Sequence, residues 1–318
     1  MSSVATPSQS FAHGTPPSWG TLGGRRGLSL LDPNLIIAFI FSESNAGKSF
    51  LLHSNPDAFV FNLDFSSVAN PHAQALVWPE IDRSTGRPIN SEGKPGNIRF
   101  EDVLMQCAIL LDLANRNMPR PRIVGIDTLT TLMPLAVDYV TRNAKRLCIV
   151  KDSDPDPEHF RQLNGMSAYA AVYDIIVDLI VKLHNAGYGV YIFGHITQTK
   201  VPTGADLMTW KWDLNLGNGL WNRLFPLLEL SLSLSKRNHT EFIKVPQPDI
   251  ITPQGPRKVP DKVTPVTTVK RYLTTKVPAD YLGGLVKCRI PDFEIELTAK
   301  DTWKNFVTQY NDLQTQVK

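Results

Sequence analysis

The stretch that most constrains this chain is an apolar run that ends in a turn of small residues and a lysine. Leu35-Ile36-Ile37-Ala38-Phe39-Ile40-Phe41 contains no polar residue. A run of this length without alternation predicts a strand buried on both faces. Ser42-Glu43-Ser44-Asn45-Ala46-Gly47-Lys48-Ser49 follows, and Lys48–His53 opens a helix in which Phe50 is the next residue. The octet fits the phosphate-binding P-loop pattern GxxxxGK[ST], except that Ser42 replaces the first glycine. Small residues let such a loop wrap so that backbone N–H groups converge on phosphate oxygens. The helix N-terminus adds partial positive charge. Ser42 through Phe50 is thus the expected nucleotide-binding segment, with Lys48 on the β and γ phosphates and the Ser49 hydroxyl as a ligand for Mg²⁺. Serine tolerates the required loop geometry less well than glycine.

The rest of the chain supplies a frame for that loop. Ala58–Leu63, Arg122–Asp127 and Gly189–Ile196 read as further buried strands. Helical spacing runs through Val103, Leu104, Cys107, Leu110, Leu111 and Ala114, through Leu132–Lys145, and from Gly165 to a stop at Gly187. Alternating strands and helices predict an α/β fold with a mostly parallel sheet covered on both faces. Residues 80–98 are rich in glycine and proline and read as a surface excursion. After Gly219 the pattern becomes antiparallel. Leu227–Ser235 alternates apolar and polar residues, and Lys236-Arg237-Asn238-His239 reads as the turn into Glu241–Val245. Six prolines in residues 246–265 mark an extended crossing segment. Short strands at Val266–Leu273, Val286–Ile290 and Phe293–Leu297 follow, with a terminal helix from Ala299.

The expected organisation is a disordered tail over residues 1–33, one core over 34–298 and the helix over 299–318. The 318 residues suffice to bury such a core. Residues 1–27 hold 16 Ser, Thr, Gly or Pro and no acid, which leaves little apolar surface to offset ordering entropy. A transit peptide can share this composition, although arginine is scarce and no amphipathic helix is visible. No apolar run reaches the ~18 residues of a membrane span. Cys107, Cys148 and Cys288 lie far apart with neither zinc nor CxxC spacing, so a reducing, cytoplasmic setting fits. A net charge of +3 is too mild to announce nucleic-acid binding and leaves room for a local basic groove.

Three further signals point to the same sheet edge. Asp127 closes the strand Ile123-Val124-Gly125-Ile126, the Walker B arrangement, in which the carboxylate holds Mg²⁺ through coordinated water; a helix-capping aspartate is the alternative. Asp64 ends Asn62-Leu63-Asp64 beside the P-loop, either orienting the attacking water or forming a turn before Ser66 and Ser67. His195 and Gln198, in His195-Ile196-Thr197-Gln198, are candidates to sense the γ-phosphate, or else His195 is a satisfied strand-end histidine.

This order of parts resembles the RecA-like recombinase ATPases, and in particular the phage-type ATP-binding proteins with a RecA core, some of which anneal single strands. Those carry a late Lys-x-Arg motif, matched here by Lys287-Cys288-Arg289 after Tyr281-Leu282-Gly283-Gly284. The resemblance spans roughly residues 34–290. It implies ATP with Mg²⁺, a homo-oligomer, single-stranded DNA, no membrane, and the host cytoplasm if the chain is phage-encoded. It also implies that Lys287 and Arg289 reach a neighbouring subunit's γ-phosphate; an edge strand protected by charge is the alternative. DNA-binding loops of the family follow the sensor strand, where Thr199–Gly219 holds Lys200, Trp210, Lys211 and Trp212. Cations would meet phosphates there and indoles would stack on bases, unless the segment is a subunit contact. Asp64 stands where RecA-like enzymes use glutamate, one methylene longer, so efficient hydrolysis is in question while nucleotide binding is not. The implied activity is ATP-dependent single-stranded DNA recombination or annealing. A nucleotide-gated scaffold with little hydrolysis is the rival. A small-molecule kinase fits least, because the acids at 152–158 surround the only cations available for a lid.

Overall fold

The first strand, β1 (Ile37–Ser42), is buried along its whole length, as its uninterrupted apolar sequence requires. A computed structural model of the chain describes residues 31–43, 46–65, 73–163, 165–202, 208–214, 216, 218–248, 250–252, 255–276, 286–288, 290, 293–298 and 301–316. The expected disordered tail lies outside the described residues up to position 30. Contacts divide the chain into Met1–Leu31 and Asp32–Lys318, and the fold is that of the second unit.

The protein is α/β. After β1 come α1 (Lys48–His53), β2 (Ala58–Asn62), β3 (Leu76–Trp78), α2 (Phe100–Asn115), β4 (Ile123–Asp127), α3 (Leu129–Arg142) and α4 (Gly165–Asn185). Then follow β5 (Gly189–Pro202), β6 (Met208–Leu214), α5 (Asn218–Leu224), β7 (Leu230–Val245), β8 (Ile250–Thr252), β9 (Gly255–Arg257), β10 (Lys262–Thr274), β11 (Glu294–Leu297) and α6 (Thr302–Gln316). The main sheet has the order β11-β10-β7-β1-β5-β4-β2-β3. The pairings from β7 to β3 are parallel, whereas β10 and β11 join antiparallel. Parallel strands need crossovers: α1 lies between β1 and β2, α2 between β3 and β4, α3 and α4 between β4 and β5, and α5 between β5 and β7.

Alternation along β1 sends its residues into two cores. Ile37, Phe39 and Phe41 pack with residues of α2, α3 and α4 on one face. On the other, α6 packs along α1, and Trp303 meets Tyr191 of β5 with ring centroids 5.2 Å apart. Gly125 lets α1 approach the sheet closely, since a Cβ there would lie 2.4 Å from Leu52 Cδ1. No helix among the described residues is long and apolar enough to cross a membrane.

Two sequence expectations change. Lys236–His239 is not a turn: β7 runs straight through it, paired residue for residue with β10 in one unbroken register. The segment has neither glycine nor proline, and β10 supplies its backbone partners from 29 (His239–Thr268) to 35 (Lys236–Arg271) positions away. Within Thr199–Gly219, residues 199–202 and 208–214 are strand and not open loop, because β5 continues to Pro202 and pairs antiparallel with β6; residues 203–207, 215 and 217 lie outside the described residues. The terminal helix begins at Thr302, and Ala299 lies outside the described residues.

Candidate functional site

Strand register brings the polar ends of four strands to one edge of the sheet. Ser42 of β1 stands opposite His195 of β5, and Asn62 of β2 opposite Asp127 of β4. Gly47 adopts a left-handed conformation (φ 97°) that turns the chain into α1. Ser44 and Asn45 lie outside the described residues; Ser42 and Ala46 are buried. Ligands of open α/β sheets bind outside the carboxyl ends of such strands.

Lys48 is folded into this edge and only 5% exposed. Its Nζ donates to Ser42 Oγ (2.8 Å) and to the Glu43 carbonyl (3.2 Å), and it lies 3.2 Å from His195 Nδ1. Burial pulls the ammonium down to about 8, against the attraction of Asp127 and Asp64 and with some repulsion from Lys236. The Ser49 hydroxyl donates to Asp127 Oδ2. Burial, helped by the charge of Asp64, pushes the Asp127 carboxyl up to about 7, while Ser49 and Lys48 oppose the rise. Asp64, half-buried, lies two residues past the end of β2, and the intervening Leu63 N–H donates to the Asp127 carbonyl at 2.6 Å. His195 is half-buried, and its imidazole is lowered by burial and by Lys48, with Asp64 opposing.

The structure therefore gathers Ser42, Glu43, Lys48, Ser49, Asp64, Asp127 and His195. Gln198 does not join them: it is exposed, and its odd spacing from His195 along β5 places it on the other strand face. Lys200 is exposed on the β5–β6 hairpin. Trp210, Lys211 and Trp212 form the backbone of β6 opposite Lys200, Thr199 and Gln198, and their side chains lie outside the described residues. Lys287 is held within its own chain near the start of β7, where Nζ donates to the carbonyls of Phe225 (3.1 Å) and Pro226 (3.3 Å). Arg289 lies outside the described residues.

Two cations that sequence reasoning missed come from the C-terminal strands. Arg271 of β10 donates from Nε to the Ala46 carbonyl at 3.0 Å, and its guanidinium stands 5.9 Å from the Phe50 ring centre. A Cβ on Gly47 would meet Arg271 Nε at 2.6 Å, so a side chain there would displace the arginine as well as strain a φ of 97°. Lys236, paired with Arg271 across β7 and β10, is the cation that Lys48 feels. No local pattern marks either one, since Arg271 is 225 positions from Ala46.

The residues present fit a hydrated divalent cation. Asp127 Oδ1 and Asn62 Oδ1 are buried on adjacent strand ends with no hydrogen-bond partner, and buried acceptors of this kind are ordinarily satisfied. Among the described residues no three His, Cys, Asp or Glu side chains form a cage for a metal ion. A cation here would depend on phosphate oxygens, as Mg²⁺ commonly does. No protein-family model matches the chain, and comparison with curated proteins finds no match.

Proposed function

We propose that the chain is a P-loop nucleoside triphosphatase with a RecA-like core that binds Mg·ATP at this edge, hydrolyses it and acts on single-stranded DNA in recombination or annealing. The observation that carries the reading is the joint placement of Lys48, Ser49 and Asp127, with one Asp127 oxygen engaged by Ser49 and the other left without a partner. Lys48 exchanges Ser42 Oγ and the Glu43 carbonyl for β- and γ-phosphate oxygens. Ser49, and Asp127 through water, would hold Mg²⁺, which supplies charge neutralisation on the phosphates. Asp64 orients the attacking water and accepts its proton. His195, 3.2 Å from Lys48 Nζ, reports the state of the phosphate site to the β5–β6 hairpin. That hairpin carries Lys200, Trp210, Lys211 and Trp212 and supports the assignment of single-stranded DNA as partner. ATP is chosen over GTP on the resemblance, and the chain lacks an Asn-Lys-x-Asp guanine motif.

A nucleotide-gated oligomeric scaffold with little hydrolysis is the second reading, favoured by the short reach of Asp64. ATP turnover titrated with a single-stranded oligonucleotide separates them. Turnover that rises with DNA supports the enzyme; nucleotide binding without turnover supports the scaffold; neither would sink both.

A further inference from the structure

Beyond Lys236 the pair β7–β10 leaves the sheet. β1 pairs with β7 only over Leu230–Ser233, and β11 pairs with β10 only over Arg271–Thr274. Residues 236–245 and 262–270 thus form a two-stranded ribbon with no further strand on either edge among the described residues. Such ribbons are marginal in water by themselves and invite pairing. The unbroken register assigns its faces. One face carries Arg237 with Glu294, Lys270 with Glu296, and His239 with Glu241, all ion-paired within the chain. The other carries Lys236, Lys244 and Arg271, no acid, and the apolar side chains Phe242 (72% exposed), Val263 and Val269. The first face also exposes Ile243, Val245 and Val266 and carries Lys262, so what sets the second apart is that it has no acid and holds Phe242, the most exposed of the ribbon's apolar side chains.

A groove of opposite character opens along α3. It has a volume of about 620 Å³ and is lined by Pro134, Val137, Phe160 and Tyr169 together with the acids Asp138 and Glu158. Phe160 and Tyr169 meet edge to face at 4.8 Å, leaving Tyr169 and the neighbouring Met166 exposed. Asp138 is shared with Arg142, whereas Glu158 is in none of the ion pairs among the described residues. The chain's own arm does not fill the groove, because Phe242 stands free of it.

We propose that the ribbon face bearing Phe242 and Lys244 docks into the α3 groove, lined in part by Asp138 and Glu158, of a second copy of this chain. The aromatic ring of Phe242 enters the apolar groove and Lys244 faces Glu158. The two patches differ, so the contact is head to tail and builds rings or filaments rather than closed two-fold dimers. This names the surface behind the oligomer in the reading above, yet it rests on arm and groove alone and needs no nucleotide.

The test is the mass of the full chain, measured without nucleotide by light scattering and sedimentation. The wild type should exceed the 35.5 kDa of one chain. Phe242→Asp should weaken association by about 30-fold or more, the scale of a central aromatic anchor. Lys244→Glu and Glu158→Lys should each weaken it by about tenfold through like-charge contact. The double variant Lys244→Glu/Glu158→Lys should regain it. All three positions are exposed, and melting curves check the fold, with Phe242→Ser as the milder alternative. A monomeric wild type, an unchanged mass in Phe242→Asp, or a double variant no better than the single ones overturns the proposal. So does a variant set that leaves mass unchanged and abolishes binding to a thymidine oligonucleotide, which would make the arm a nucleic-acid surface. ATP turnover in a monomeric wild type would defeat this inference alone. Salt-swapped association in a chain that binds no nucleotide would defeat the functional reading alone.

Discussion

Replacing Lys48 with methionine should stabilise the nucleotide-free protein while removing its ability to bind nucleotide. The ammonium is 5% exposed, and its environment lowers it from 10.5 to about 8. That drop corresponds to about 3 kcal/mol of disfavoured charge at pH 7. Methionine keeps the aliphatic stem and forfeits the hydrogen bonds to Ser42 Oγ and the Glu43 carbonyl, together about 1–2 kcal/mol. Ser42 Oγ retains its own bond to the Glu43 carbonyl. The net expectation is a gain of about 1–2 kcal/mol. The sign with pH follows from linkage. Between pH 8 and 10.5 the folded wild type holds fewer protons than the unfolded chain, so its stability rises with pH there. The cost of Lys48 is complete below pH 8 and fades above it. Urea melts of wild type and Lys48→Met at pH 7 and pH 10 should therefore show a gain that shrinks at the higher pH. A variant less stable than wild type at pH 7, or a gain independent of pH, would refute the reasoning.

Asp127→Asn should also raise nucleotide-free stability, most clearly above pH 7, where the raised carboxyl is ionised at full cost; urea melts at pH 5 and pH 8 check this, and Mg²⁺-dependent nucleotide binding should be lost. Asp64→Asn should spare nucleotide affinity and cut turnover by about 10²-fold, read from single-turnover phosphate release; equal rates would move the base role elsewhere. Arg271→Ala should weaken nucleotide binding by about tenfold through loss of its bond to the Ala46 carbonyl, measured by titration with a fluorescent nucleotide.

What the sequence discloses and what it hides divide along the range of the contacts. β1, β2, β4 and β5 are legible because strands buried on both faces leave no freedom for polar residues, and Gly47-Lys48-Ser49 fixes where the first one ends. Asp127 and Asp64 are legible because an acid that closes or follows such a strand has no place among its apolar residues and lies at the sheet edge, even where, as at Asp127, it is buried there. The β7–β10 arm is not, because its pairing joins segments separated by the proline-rich stretch, and Lys236–His239 is polar enough to pass for a turn. Arg271 is hidden for the same reason: its partner Ala46 lies at the far end of the chain. Gln198 shows a different limit, since β5 runs on past the sheet and strand parity, invisible without that knowledge, turns it away from His195.

The most direct test of nucleotide binding at this edge is a calorimetric titration of the full chain with ATP in the presence of Mg²⁺, run beside Lys48→Ala and repeated with the metal chelated. One Mg²⁺-dependent site per chain in the wild type, lost in the variant and lost without Mg²⁺, is the expected result. No binding to the wild type, or equal affinity in wild type and Lys48→Ala, would contradict it.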